Sequence, residues 1–142
     1  MRATMNATRL VSASLIERYY RIFNAGDREA LLALLTEDIV HDINQGGSET
    51  GKPAFSAFLH RMDRCYREQV QELAVMAGED GVRAAAEFFI EGTYLAGDEG
   101  LPPATGQSYR LRVGAFFELR DGLVARVTNY YNLQDWLAQV AA

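Results

Sequence analysis

Apolar residues in the first third of the chain recur at intervals of three and four, the spacing of helices that bury one face. Ser14 and Glu17 have the spacing of a capping box, and the glycine of residues 24–26 supplies a stop. A first helix is therefore predicted between these points. Asp27 can cap a short second helix, and a short strand is predicted at residues 38–43.

A third helix is predicted from Pro53, because proline suits the first turn of a helix. Its apolar stripe has helical spacing and consists of Phe55, Phe58, Leu59 and Met62. Beyond this helix the hydrophobic period changes to that of strands, separated by turn residues. The predicted strands occupy residues 70–77, 82–95, 108–120 and 123–131.

The glycine- and proline-rich residues 96–107 are predicted to form a long mobile loop over a pocket mouth, or a tolerated insertion, with Asp98 and Glu99 in solvent. Asn132 can cap a closing helix. Helices followed by antiparallel strands predict an α+β fold, with the helices packed on one face of a curved sheet.

Length and composition favour one compact domain at residues 12–142, preceded by a flexible tail at residues 1–11. The net charge of −5 argues against a nucleic-acid partner, since phosphate backbones require a basic face. No apolar run reaches the length of about 20 residues that a membrane helix needs. The single cysteine, Cys65, is expected to serve packing rather than catalysis, and a cytoplasmic location is expected.

The segment around Gly46 and Gly51 has most of the spacing of a phosphate-binding loop. Pro53 stands where that motif needs a hydroxyl group, so we interpret these glycines as turn residues. The same segment places Asp42 at the end of a strand. If the Asp42 face is the one covered by helices, burial would raise its proton affinity. Alternatively, Asp42 caps the turn at residues 44–46.

The order of elements, with a tyrosine on the first helix, the sequence N-A-G-D, a strand ending in aspartate and then G-K-x-x-F, resembles the ketosteroid isomerase and SnoaL-like branch of the nuclear transport factor 2-like superfamily. The resemblance implies a conical α+β fold with a deep pocket and a homodimer formed through the outer face of the sheet. It implies that Asp42 shuttles a proton, that Tyr19 donates to an oxyanion and that Tyr131 is a pocket aromatic. The second oxyanion donor of the isomerases falls at Gly114, which has no side chain to donate.

Counting along the predicted strands places further residues in the pocket beside Phe55 and Leu59. These residues are Glu87, Phe89, Arg112 and Phe116. Glu87 and Arg112 could form a buried structural pair, or could act on a ligand and its proton. Asn129 could replace the donor missing at Gly114 or could satisfy nearby backbone.

His41 is expected on the outer face of the sheet and His60 in solvent, and no metal site is expected from these two histidines. The function expected is that of a cofactor-independent isomerase or cyclase that moves a proton next to the carbonyl of a small apolar molecule. A hydratase or hydrolase in which Asp42 and Arg112 position a water, and a binding module without catalysis, remain alternatives.

Overall fold

The computed structural model describes residues 2–141, with side chains from residue 7 to residue 141. Helix α1 spans Arg2–Ala25, so its start at Arg2 precedes the predicted cap at Ser14 and includes most of the segment predicted as a tail. The buried Ser12 hydroxyl donates to the carbonyl oxygens of Thr8 at 3.1 Å and Gly81 at 2.8 Å. This contact packs the early turns of α1 against a distant hairpin, which local capping signals do not reveal.

The remaining helices begin close to their predicted caps. Helix α2 spans Arg28–Leu32, and the Asp27 carboxylate accepts from the Ala30 amide at 3.0 Å. Helix α3 spans Lys52–Cys65 and carries Pro53 in its first turn. Helix α4 spans Leu133–Val140 and is capped by the Asn132 side chain, as predicted.

Six strands form one curved, open sheet, and five of them correspond to predicted strands, β2 being the addition. In chain order the strands are β1 Leu35–Asp42, β2 Ser48–Thr50, β3 Tyr66–Ala77, β4 Arg83–Tyr94, β5 Ser108–Arg120 and β6 Leu123–Tyr131. Their spatial order is β2-β1-β6-β5-β4-β3. All neighbours are antiparallel except β1 and β6, which are parallel. The predicted α+β architecture is confirmed.

The inner face of the sheet packs against α1, α3 and α4 and forms the hydrophobic core. On β4 the inward side chains are Ala84, Ala86, Phe88 and Ile90, and on β5 they are Tyr109, Leu111, Val113, Ala115 and Phe117. The predicted faces of both strands are therefore wrong by one residue. Large apolar side chains occur on both faces, as at Phe88 and Phe89, so alternation alone did not decide the phase.

Candidate functional site

A cavity of about 250 Å³ lies between the inner face of the sheet and the helices. Its wall is mostly apolar and includes Tyr19, Phe55, Leu59, Asn129 and Tyr131, which the sequence placed in a pocket. A mostly apolar concavity with a few polar groups is the usual form of a small-molecule site.

The structure places the other predicted strand residues on the outer face of the sheet. Glu87 and Arg112 do meet, with Oε1 and Nη2 3.5 Å apart, but both side chains are more than half exposed, at 55% and 68%. Phe89 lies under the Arg110 guanidinium at 3.8 Å, and Phe116 is 55% exposed. This exposure excludes the buried pair, and neither Glu87 nor Arg112 lines the cavity.

Gly114 also lies on the outer face, since it pairs with Glu87 on β4 and Tyr130 on β6. A Cβ atom at this position would meet nothing within 4 Å. A carboxyl group there would point away from the cavity. The comparison of Gly114 with the oxyanion donor of the isomerases is therefore wrong in position.

Asp42 belongs to the rim of the cavity wall, but its carboxylate is turned toward Arg126 and Thr128 on the outer side of the sheet, contrary to expectation. Its carboxylate accepts from Arg126 Nε at 2.7 Å, from Arg126 Nη2 at 3.1 Å and from Thr128 Oγ1 at 2.7 Å, and also from Ser48. Its partners are these side chains and not the backbone of the 44–46 turn. Hydrogen bonds from Arg126, Ser48 and Thr128 lower the pKa of Asp42 to about 2. The carboxylate is thus held ionised near solvent, and it is not desolvated within the cavity.

His41 takes the inward position that was expected of Asp42. Its residue surface is only 3% exposed, and its imidazole lies 4.4 Å from the Phe58 ring and 5.1 Å from the Phe55 ring, centre to centre. Its Nδ1 atom is buried without a hydrogen-bond partner in the described part of the chain. Burial lowers the pKa of His41, so the ring is neutral at neutral pH and can accept a proton. His60 is exposed, as expected.

Tyr19 extends from α1 into the same cavity. Its ring makes edge contacts with Tyr20 at 5.0 Å and Phe117 at 5.5 Å, which fix its orientation. Burial raises the pKa of the Tyr19 hydroxyl group. The group therefore stays protonated and is able to donate a hydrogen bond to an oxygen in the cavity.

The loop at residues 96–107 contributes Asp98 and Leu101 to the cavity wall. Asp98 is only 16% exposed, contrary to the prediction that it lies in solvent, because Tyr66 donates to its carboxylate at 2.8 Å. The Tyr94 hydroxyl accepts from the Asp98 amide at 3.0 Å and donates to Pro102 at 2.6 Å. These bonds tie the loop to the end of β4.

Sequence reasoning missed Glu68 and Tyr109, whose side chains meet at 2.6 Å beside Trp136. Glu68 lines the cavity. It lies two residues before Val70, so the period of a strand places both side chains on one face. Glu68 was not recognised as inward because the strand was predicted to begin at Val70, whereas β3 begins at Tyr66.

No three His, Cys, Asp or Glu side chains come together to hold a metal ion within the described residues. Cys65 is buried and unpaired. None of the described helices is long and apolar enough to cross a membrane.

Residues 16–127 match the SnoaL-like domain over most of the chain. The chain belongs to the SnoaL-like family. This SnoaL-like protein is 57% identical to a candidate polyketide cyclase from Pseudomonas putida, with a TM-score of 0.89 over 91% of this chain and 97% of the other. It is 26% identical to a candidate ketosteroid isomerase from Kribbella flavida, with a TM-score of 0.64 over 87% and 79% of the two chains.

A nuclear transport factor 2-like protein from Burkholderia xenovorans has the same fold, with a TM-score of 0.72 at 19% identity over 94% of this chain and 98% of the other. Comparison with the curated proteins finds no match. The predicted resemblance and fold are confirmed. The scaffold of this SnoaL-like protein is thus of the cyclase and isomerase type.

Proposed function

We propose that this SnoaL-like protein is a cofactor-independent cyclase or isomerase that moves a proton next to the carbonyl of a small, mostly apolar molecule. The observation that carries the proposal is the neutral imidazole of His41, buried between two phenylalanine rings in the wall of an apolar cavity. The identity to a candidate polyketide cyclase supports it. Cytoplasmic location remains a prediction from the unpaired cysteine.

His41 takes the role that the resemblance gave to Asp42. In this mechanism the imidazole removes a proton from the carbon next to the carbonyl and later returns it, while the electron pair moves toward the carbonyl oxygen. The Tyr19 hydroxyl, which keeps its proton, donates to the developing oxyanion. The ionised carboxylate of Asp42 stabilises the sheet surface and takes no part in the transfer.

Proton exchange in deuterium oxide tests this role without knowledge of the natural substrate. α-Tetralone and a panel of mono- and bicyclic ketones would be incubated with the protein, and loss of the proton signal next to the carbonyl would be followed by NMR. We expect exchange above the buffer rate with at least one ketone. His41→Gln should lower it by roughly 10²- to 10⁴-fold, the usual contribution of a positioned base.

His60→Gln is the matched control, since His60 lies exposed on the same helix that covers His41. It should exchange protons at the unaltered rate. If no ketone exchanges above the buffer rate although ketones bind, the cavity serves binding alone and the catalytic proposal is contradicted. A hydratase using Asp42 and Arg112 has no support, because both side chains lie on the outer face.

We also propose that the protein forms a homodimer through the outer face of its sheet. Phe116 and Tyr130 are 55% and 53% exposed there and lie 5.8 Å apart in an edge-to-face pair. Aromatic side chains that are exposed on a single chain are enriched at protein–protein interfaces, where the partner buries them. Charged side chains on neighbouring positions of the sheet, among them Glu87, Arg112 and Arg126, can provide a polar rim.

A further inference from the structure

Four carboxyl groups belong to residues that line the cavity, and three of them have an arginine partner. Asp42 pairs with Arg126 at 2.7 Å, Asp63 with Arg28 at 2.6 Å, and Asp98 approaches Arg61 at 3.9 Å. Glu68 has no ion pair within residues 7–141. Glu68 is partly buried, and a desolvated carboxyl group without an ion pair avoids the cost of an unpaired charge by holding its proton.

The position of Glu68 depends on a glycine in the neighbouring strand. Gly92 on β4 pairs with Glu68 on β3 and with Tyr109 on β5, so the three residues form one row across the sheet. Because Gly92 has no side chain, the Tyr109 ring crosses over it to reach the Glu68 carboxyl group. A Cβ atom at Gly92 would lie 2.4 Å from Cζ of that ring.

Glu68 and Tyr19 lie on elements that are tied together. The Asn24 amide, at the end of α1, donates to Val70 O at 2.9 Å and its oxygen accepts from Val70 N at 2.7 Å. The positive charge of Arg28 works against burial at both groups, because it lowers the pKa of Tyr19 and of Glu68. Both groups line the same cavity.

We propose that Glu68, held by Tyr109, is a neutral carboxylic acid that gives its proton to the substrate oxygen while His41 removes the proton from carbon. This inference rests on the proposed function and names its second acid-base residue. The C–H bond breaks, its electron pair forms a C=C bond and the C=O π pair moves to oxygen, where an O–H bond forms with the proton of Glu68. The resulting carboxylate is stabilised by the Tyr109 hydroxyl, and the reverse transfer restores both residues.

The titration of Glu68 supports the same assignment. Burial raises its pKa, while the hydrogen bond from Tyr109 and the charge of Arg28 lower it. Glu68 on β3 thereby supplies the acid that the isomerase comparison sought at Gly114. The donor enters the cavity from a different strand.

Binding of α-tetralone tests the proposal independently of turnover. The protein contains a single tryptophan, Trp136, which lines the cavity and lies 5.9 Å from the Tyr109 ring, so its fluorescence reports on this end. In a His41→Gln background, which removes the imidazole titration, affinity should fall tenfold per pH unit above the pKa of Glu68, because only the neutral acid donates to the ketone oxygen.

Adding Glu68→Gln should abolish this pH dependence and keep the affinity at low pH, since the amide still donates. Adding Tyr109→Phe should move the midpoint to higher pH, because it removes a donor that stabilises the carboxylate. Glu72→Gln, at an exposed glutamate of the same strand, is the matched control and should leave the profile unaltered. In the protein with His41 intact, Glu68→Gln should reduce proton exchange by at least tenfold.

An unaltered pH profile after Glu68→Gln, or no shift after Tyr109→Phe, would overturn the proposal. So would tighter binding of α-aminotetralin than of α-tetralone with affinity rising with pH, since Glu68 would then be an ionised acceptor for an ammonium group. If exchange depends on His41 but survives Glu68→Gln, this inference fails and the proposed function stands. If exchange is absent altogether, the proposed function fails first.

Discussion

Asp42 and His41 are neighbours in sequence with opposite environments. The Asp42 carboxylate receives hydrogen bonds from Arg126, Ser48 and Thr128, whereas His41 Nδ1 is buried without a described partner. Charge-assisted hydrogen bonds stabilise an ionised group, and desolvation destabilises one. These two adjacent residues of β1 therefore differ in role, since Asp42 is an ionised structural carboxylate and His41 is a neutral base.

The ionised state of Asp42 should contribute to folding stability in a defined pH range. Its folded-state pKa of about 2 lies below the value of about 3.9 of an unperturbed aspartate. The contribution is present above the unfolded pKa and is lost as pH falls through the folded pKa. Urea unfolding should show Asp42→Asn to be less stable than wild type at neutral pH, with the difference shrinking as pH falls from about 4 toward 2.

Glu99→Gln is a suitable control, because Glu99 is exposed and carries no ion pair in the described part of the chain. It should leave the unfolding free energy unaltered across this range. A constant difference between Asp42→Asn and wild type at all pH values would mean that the Asp42 network contributes through packing and not through charge.

At the scale of elements, turn and cap residues determined most of what the sequence could predict. Asn132 caps α4, and residues 108–120 and 123–131 form strands with the predicted bounds. The inward faces were not predictable in the same way. β1 contains an irregularity between Leu35 and Val40, and Phe116 and Phe117 put aromatic rings on both faces of β5. A phase error of one residue exchanges the cavity side for the outer side.

Gly92→Ala should disturb one row of the sheet and leave its strands intact. The added methyl group would meet the Tyr109 ring at 2.4 Å, so the ring must move away from Glu68. Overpacking of this kind costs about 1–3 kcal/mol of stability, measurable by urea unfolding. The midpoint of α-tetralone binding should also shift to higher pH, as expected for Tyr109→Phe. An unaltered midpoint would show that Tyr109 does not control Glu68.

At the scale of the molecule, the curved sheet brings distant strands to one cavity. His41 lies on β1 and Glu68 on β3, which are separated by β6, β5 and β4 in the sheet, yet both side chains line the same space. Local sequence patterns could identify the strands but not this convergence, because it depends on sheet curvature and on the helices that cover it. Phe55 and Leu59 were correctly predicted to line the pocket, because the apolar residues of α3 all lie on one face of the helix.

The proposed dimer predicts that the outer face is buried in solution. Sedimentation should show a dimer for the wild type, and Phe116→Glu should convert it to a monomer, because it places charges within an apolar contact. Leu10→Glu, at an exposed position on α1, is the matched control and should remain dimeric. A monomeric wild type, or a dimeric Phe116→Glu variant, would contradict an interface centred on Phe116.

The central claim is that proton transfer belongs to the inward His41 and not to the outward Asp42. Deuterium exchange next to the carbonyl of an active ketone, compared in the His41→Gln and Asp42→Asn variants of folded protein, tests it most directly. We expect a loss of roughly 10²- to 10⁴-fold for His41→Gln and a rate within about threefold of wild type for Asp42→Asn. The reverse order of the two variants would contradict the account.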